Sequence, residues 1–390
     1  MTGSSDLKAL FLLDPDVVFL NHGSYGACPR PVFEDYQRWQ RELERQPVEF
    51  LGRRARPLLA AARRALADYL RVADDELVYV PNPSTAVNMV ARSLPLGPGD
   101  EILTTDHEYG AMDRTWTLVA KKAGARYVRH PMPLPVTTHE AFAERLWSAR
   151  TPRTRVIFLS HITSPTALTF PVAELCRRAR AAGILSVVDG AHAPGQIDLD
   201  LTAVGADIYT GACHKWLCAP KGSAFLHARP EVQPRLEPLV VSWGWGDDTI
   251  PPRPGMGETP FISRHEWQGT RDLAAFLATP AAIRFQADHA WPSVRLACRA
   301  LAAETRARIE ALTGLESLCP NSPDWFTQFV AARLPARVDA DRVKARLWDE
   351  FRIEVPLVEW NGAKLIRVSF QGYNSEAEAD ALVKALERCL

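Results

Sequence analysis

Residues 183–228 read GILSVVDGAHAPGQIDLDLTAVGADIYTGACHKWLCAPKGSAFLHA. Three runs in this stretch, GILSVVD (183–189), ADIYTG (206–211) and SAFLHA (223–228), are rich in apolar, β-branched and aromatic residues and predict strands. The first two end in turns with ionisable groups: Asp189 and then His192, and His214 beside Lys215. Only eight of the 46 basic residues are lysines, which makes a lysine at a strand end conspicuous.

The same pattern extends upstream. ELVYV (76–80), EILTT (101–105), ARYVRH (125–130) and RVIFLSH (155–161) alternate with helix-like stretches such as STAVNMVARSL and PVAELCRRARAAG. Seven strands alternating with helices predict an α/β fold around a mostly parallel sheet covered on both faces. The segment 31–70 is helical in pattern, with many Arg/Glu pairs at helical spacing. SWGWGDDTIPPRPGMGETPFISRHEWQGT (242–270) is rich in Gly, Pro and Trp, lacks a period and reads as a long ordered loop. A helical region over 273–313 follows, then FTQFVAARL, RIEVPLVEW and KLIRVSF as strands of a smaller α+β domain. The expected division is an N-terminal segment 1–30 near the active site, a large domain 31–284 and a small domain 285–390.

Lys plus Arg and Asp plus Glu both number 46, so the formal net charge is zero and the bulk electrostatic case for a nucleic-acid partner is removed. No stretch has the length and apolarity of a transmembrane span, and LKALFLLDPDVVFL near the start is broken by Asp14 and Asp16, unlike a signal peptide. The seven cysteines are odd in number and scattered, as expected of reduced thiols in a cytoplasmic protein. Cys213, Cys218 and His192 could be drawn as a zinc site, but the spacing is loose and no second Cys/His pair completes it, so no metal is expected.

Ligands of open α/β sheets gather beyond the carboxyl ends of the strands. Five successive strand ends carry polar groups there: Ser84 and Thr85; His107 and Tyr109; His161 and Ser164; Asp189 and His192; His214 and Lys215. Hydroxyls at a helix start suit a phosphate, a buried Asp suits a protonated ring nitrogen, a lysine can form an imine, and a flat ring can stack on a flat cofactor. These are the parts that pyridoxal phosphate requires.

The motifs LNHGSYGACPRPV, TDHEYGA, SHITSPTAL, VVDGAHAPGQ, GACHKWLCAPKG, EWQGTRD and RVSFQGYN, in this order, resemble the fold-type I pyridoxal-phosphate enzymes of the class V aminotransferase group. More narrowly, they resemble its isopenicillin N epimerase-like branch, which also contains C–S lyases. The resemblance covers nearly the whole chain. It implies that Lys215 is the Schiff-base lysine and Asp189 the partner of the pyridinium nitrogen. His192 would face the cofactor's phenolic oxygen, and Ser84, Thr85 and His214 its phosphate. Ser164 joins this cofactor-binding set. Thr270 would reach the phosphate of a neighbouring subunit, implying a homodimer with shared active sites. His107 or Tyr109 would cover the ring face, His107 suiting the stacking role. Arg367 would clamp the substrate α-carboxylate, with Asn21 and Trp243 also at the substrate, and Tyr109 or His22 would supply a further acid or base.

Two departures are visible. Ala212 stands where relatives carry Ser, Thr or Asn, so one phosphate contact is either missing or replaced, with Thr210 the candidate replacement. The stretch FRIEVPLVEWNGAKLIR before Arg367 lacks the cysteine of persulfide-forming desulfurases. The implied chemistry is removal of the α-proton of an amino-acid substrate by Lys215. C–S β-elimination on an S-substituted cysteine conjugate is the preferred outcome. Side-chain epimerisation, transamination and decarboxylating deamination are its alternatives. A pyridoxal-phosphate fold turned to binding without catalysis, or a zinc-dependent hydrolase, would be readings of a different class.

Overall fold

The computed structural model describes residues 7–390. Its first strand is short, β1 (Val18–Phe19). A seven-stranded sheet then forms from β2 (Leu77–Val80), β3 (Glu101–Thr105), β4 (Arg126–His130), β5 (Thr154–Ser160), β6 (Leu185–Asp189), β7 (Ile208–Ala212) and β8 (Ala224–Ala228). Their order is β2-β8-β7-β6-β5-β3-β4. All neighbours pair in parallel except at β8, which runs antiparallel to both β2 and β7. The predicted α/β architecture, mostly parallel, is therefore what the chain adopts.

Burial explains the composition of these strands. β2, β3, β7 and β8 are buried at every position, as expected where helices cover both faces of a sheet. The covering helices turn one apolar stripe inward: Val172–Ala181 buries Val172, Leu175, Cys176 and Ala179, at i, i+3, i+4 and i+7. Helix Pro83–Ser93 starts where the Asn82 side chain accepts from the Thr85 amide and Pro83 occupies the first turn.

The C-terminal strands β9 (Phe329–Arg333), β10 (Ile353–Glu354), β11 (Leu357–Trp360) and β12 (Ala363–Ser369) form two small sheets. One is antiparallel, in the order β11-β12-β9, and the other is the parallel pair β1-β10. The N-terminal segment thus docks on the C-terminal part of the chain, with Val18 opposite Ile353 and Phe19 opposite Glu354. Helix Thr279–Asp288 runs through the expected 284/285 boundary and packs on helices Arg30–Arg45 and Ala55–Leu70. Helix Trp291–Thr313 packs on β9. One continuous apolar core reaches from Leu77 on the large sheet to Leu386 in the last helix. Within 242–270 the structure has turns and one short helix, Pro260–Glu266.

Candidate active site

A cavity of about 150 Å³ opens beyond the carboxyl ends of the parallel strands. Its wall is drawn from four of them and from the N-terminal segment: Ser160 ends β5, Asp189 ends β6, Lys215 follows β7, and Ser84 follows β2. Ser24 and Tyr25 enter from the N-terminal segment.

Lys215 is central. Its Nζ lies 3.2 Å from His192 Nε2. The Trp216 indole N–H, a donor only, reaches His192 Nδ1 at 3.1 Å. Nδ1 therefore presents its lone pair, Nε2 carries the hydrogen, and Nε2 can donate to Nζ once the amine has lost its proton. Burial agrees with this assignment. It pulls the Lys215 ammonium down to about 8, against the opposing pull of Asp189 and with help from Arg367. Burial and the Lys215 charge likewise hold His192 well below its ordinary value. The imidazole is stacked on Phe329 at 5.1 Å, which fixes its plane. Asp189 is buried, and its Oδ1 accepts from the Ala191 amide at 2.9 Å. Burial raises its carboxyl, while the Ala191 amide and Lys215 oppose the rise.

Arg367 lies on β12, at the interior end of the C-terminal sheet. Its Nη1 donates to the Ser164 carbonyl at 2.6 Å and to Ser164 Oγ at 3.1 Å, and Nη2 donates to Ser24 Oγ at 3.1 Å. Its Nε is buried without a partner, and no carboxylate pairs with the guanidinium among the described residues. Burial lowers it to about 10. A buried cation held by neutral groups alone is costly, and an anionic ligand would offset that cost.

The N-terminal segment is pinned close to the lysine. Gly26 has φ +70°, and a Cβ there would stand 2.1 Å from the His214 carbonyl oxygen. Lys221 Nζ donates to the Gly26 carbonyl at 3.0 Å, and Asn21 pairs as an isolated bridge with Ser369.

Several expected residues lie elsewhere. His107 is fully buried outside the cavity wall. Its ring nitrogens are taken by Thr166 Oγ1 and the Met132 carbonyl, both at 2.8 Å, and its ring packs 4.4 Å from Trp360. Tyr109, about half exposed, is the aromatic that lines the cavity at that strand end. His22 lies beneath the lysine backbone, with Nδ1 3.0 Å from the Tyr373 hydroxyl and Nε2 3.1 Å from the Lys215 carbonyl. Burial drives it down to about 3, so it is a neutral packing group rather than an acid facing the cavity. The Thr85 hydroxyl donates to Asn82 Oδ1 at 3.1 Å, leaving Ser84 as the helix-start hydroxyl in the wall.

The Thr210 hydroxyl donates to the Phe225 carbonyl at 2.7 Å and so makes no replacement contact for the side chain absent at Ala212. His161 bonds the Tyr209 hydroxyl at 2.9 Å within the core. His214 does line the cavity. Its Nδ1 donates to the Ser223 carbonyl at 2.9 Å, and burial lowers the ring to about 4. Asn21 stands one step back, accepting from Ser24 Oγ and donating to Glu354 at 2.8 Å. Thr270 and Trp243 share a different hollow with Arg253 and Arg56.

Sequence reasoning passed over Ser24, Tyr25, Asn82 and Ser160, all of which line the cavity. Ser24 and Tyr25 are inside the LNHGSYGACPRPV motif, and Asn82 carries an N-cap signal, so each was legible. Among the described residues no three His, Cys, Asp or Glu side chains group as metal ligands. Cys213 and Cys218 are buried free thiols, and burial raises Cys213 to about 12.

A helix start with a hydroxyl, a buried carboxylate, an amine of lowered pKa and an unpaired guanidinium fit a phosphorylated pyridine aldehyde and an amino acid. The arrangement defines a cofactor-dependent α/β enzyme of the fold-type I class. The chain belongs to the class V aminotransferase family, whose model matches residues 28–382, and its cofactor is pyridoxal 5′-phosphate. It is 42% identical to isopenicillin N epimerase of Amycolatopsis lactamdurans, over 96% of each chain. It is 26% identical to a probable chloroplastic L-cysteine desulfhydrase of Arabidopsis thaliana, over 98% of this chain and 85% of that one. The fold is shared with apo cysteine desulfurase from Thermococcus onnurineus NA1, with TM-score 0.85 and 21% identity over 100% of this chain and 98% of that one.

Proposed function

We propose that the protein is an epimerase that inverts an amino-bearing α-carbon, taking the proton with Lys215. When bound, the pyridine ring supplies the electron sink for the pair left on that carbon. Asp189 would hold the ring-nitrogen proton, and His192 would orient the Lys215 amine through its Nε2–H. Ser84, His214 and the first turn of helix Pro83–Ser93 would bind the phosphate. Arg367, steadied by Ser24 and Ser164, would take the substrate carboxylate through a planar pair of donors.

The observation that carries this reading is the Lys215 amine. Its Nζ lies 3.2 Å from His192 Nε2, burial favours its uncharged form, and it is the one lysine in a cavity that also presents the phenols of Tyr25 and Tyr109. Inversion needs a proton delivered from the face opposite the base, and a phenol is suited to that task. The 42% identity to an isopenicillin N epimerase supports the same outcome.

C–S β-elimination is the second reading, favoured by similarity to an L-cysteine desulfhydrase. Tyr109 would then protonate the departing thiolate. A persulfide-forming route has little support, because none of the seven cysteines lines the cavity.

The test is incubation in D2O with amino acids and peptides bearing a free α-amino carboxylate, alongside S-substituted cysteines. Inverted product carrying one α-deuterium, without thiol release, is the expected result. Thiol and keto acid in stoichiometric yield would replace this reading by the second.

We further propose a homodimer with shared sites. Thr270 and Trp243 lie apart from the Lys215 cavity of their own chain, and Val240, Val241, Trp243 and Ile250 are exposed on the same loop. No helix among the described residues is long and apolar enough to cross a membrane. The seven free cysteines support a reducing cytoplasmic location. The division into a cofactor-binding domain over 31–284 and a C-terminal domain over 285–390 is part of the same proposal.

A further inference from the structure

Glu108 is a buried carboxylate for which the chemistry above has no use. It follows β3 and points back into the sheet. Oε1 accepts from Thr105 Oγ1 at 2.6 Å, and Oε2 accepts from both the Ser160 amide at 2.8 Å and Ser160 Oγ at 2.6 Å. No cation pairs with it among the described residues. Ser160 lines the cavity, and its partner across the β5–β6 ladder is Asp189. Two carboxylates are therefore held on either side of β5 at one end of the site: Glu108 beyond β3, bonded to Ser160, and Asp189 on β6, opposite Ser160 in the ladder.

The geometry points to Glu108 as a positioning residue whose charge sets how firmly Asp189 and the cofactor's ring nitrogen retain their shared proton. The inference rests on the reading of Asp189 as the ring-nitrogen partner. An anion at Glu108 raises the proton affinity of every group near it, by Coulomb's law and without contact. Its own state is poised for this. Burial pushes its carboxyl up to about 7, the Ser160 and Thr105 donors oppose the rise, and the Asp189 charge adds to it. The titratable groups facing it from the surrounding strands are Asp189 on β6 and Tyr127 on β4. The Tyr127 hydroxyl donates to Asp113 at 2.8 Å, and Asp113 in turn lies 3.5 Å from Arg129. Groups whose charges act on one another in this way titrate as a coupled set.

Glu108→Gln keeps the shape and the hydrogen bonds: the amide oxygen can accept from Ser160 while the amide nitrogen donates to Thr105 Oγ1. The experiment is a pH titration of the holoenzyme carrying ring-15N pyridoxal phosphate. The wild type should hold the ring-nitrogen proton to a pH at least about one unit above the variant, a tenfold difference in proton affinity. Superimposable 15N titration curves would overturn the proposal, whatever happens to turnover. If the variant fails to fold, wild type with 13C-carboxyl glutamate decides. A Glu108 signal that titrates near neutrality with a matching step in the 15N shift supports the proposal, and its absence overturns it. Asp189→Asn separates the two readings: an unchanged 15N shift there would dismiss Asp189 as the ring-nitrogen partner and leave the behaviour of Glu108 as a distinct result.

Discussion

At the residue scale, burial makes Lys215 a base at accessible pH. The Lys215 ammonium falls from 10.5 to about 8. In the cofactor-free protein, the folded state releases this proton earlier than the unfolded chain does. Between about pH 8 and 10.5 the unfolded state binds more protons, so stability should rise with pH across that window, by up to about 3 kcal/mol. Urea titrations of apo wild type and Lys215→Met should diverge there and run in parallel below pH 8. Lys215→Ala should lower kcat by about 10²- to 10⁴-fold. Arg367→Lys keeps the charge but loses the forked donors, and should raise KM by about tenfold or more with a smaller change in kcat.

Lys215, Asp189 and Arg367 stand out in the sequence because each sits in a motif whose residue type suits one part of the proposed chemistry. His107, His22 and Thr85 lie outside the cavity wall; sequence gives the strand end but not the direction of the side chain. His107 points into the core toward Met132, and the Thr85 hydroxyl is taken by its own helix cap. Glu108 was not legible at all, since nothing in TDHEYGA distinguishes a buried carboxylate from a solvated one.

At the element scale, the N-terminal segment acts as a strap between the small sheets and the lysine. β1 pairs with β10, Asn21 bridges Ser369, and Gly26 lies against His214 with φ +70°. Gly26→Ala should cost on the order of 1–3 kcal/mol in left-handed strain and contact, and should loosen cofactor binding through Lys215. Gly52→Ala, where nothing stands within 4 Å of a new Cβ, should cost no stability. Denaturation midpoints and cofactor absorbance together check this contrast. The strands of the large sheet were legible to within two or three residues, because their apolar runs end in Gly or polar turns. The parallel β1–β10 pair was not, since two strands of two residues each, over 300 residues apart, have no local signature.

At the scale of the whole molecule, the separate C-terminal strands were legible from the change of pattern after residue 242. The helix Thr279–Asp288 across the expected boundary was not, because an amphipathic helix does not reveal which lobe it packs on. The proposed dimer makes a test of its own. Sedimentation should give twice the chain mass, and Thr270→Ala should weaken cofactor binding by about tenfold, the loss of one charged hydrogen bond.

The most direct test of the central claim is borohydride reduction of the holoenzyme followed by peptide mapping. Reduction should remove the cofactor's visible absorbance and leave a single modified peptide with the pyridoxyl mass on Lys215. A cofactor mass on another lysine, or a protein that binds pyridoxal phosphate without covalent capture, would contradict that claim.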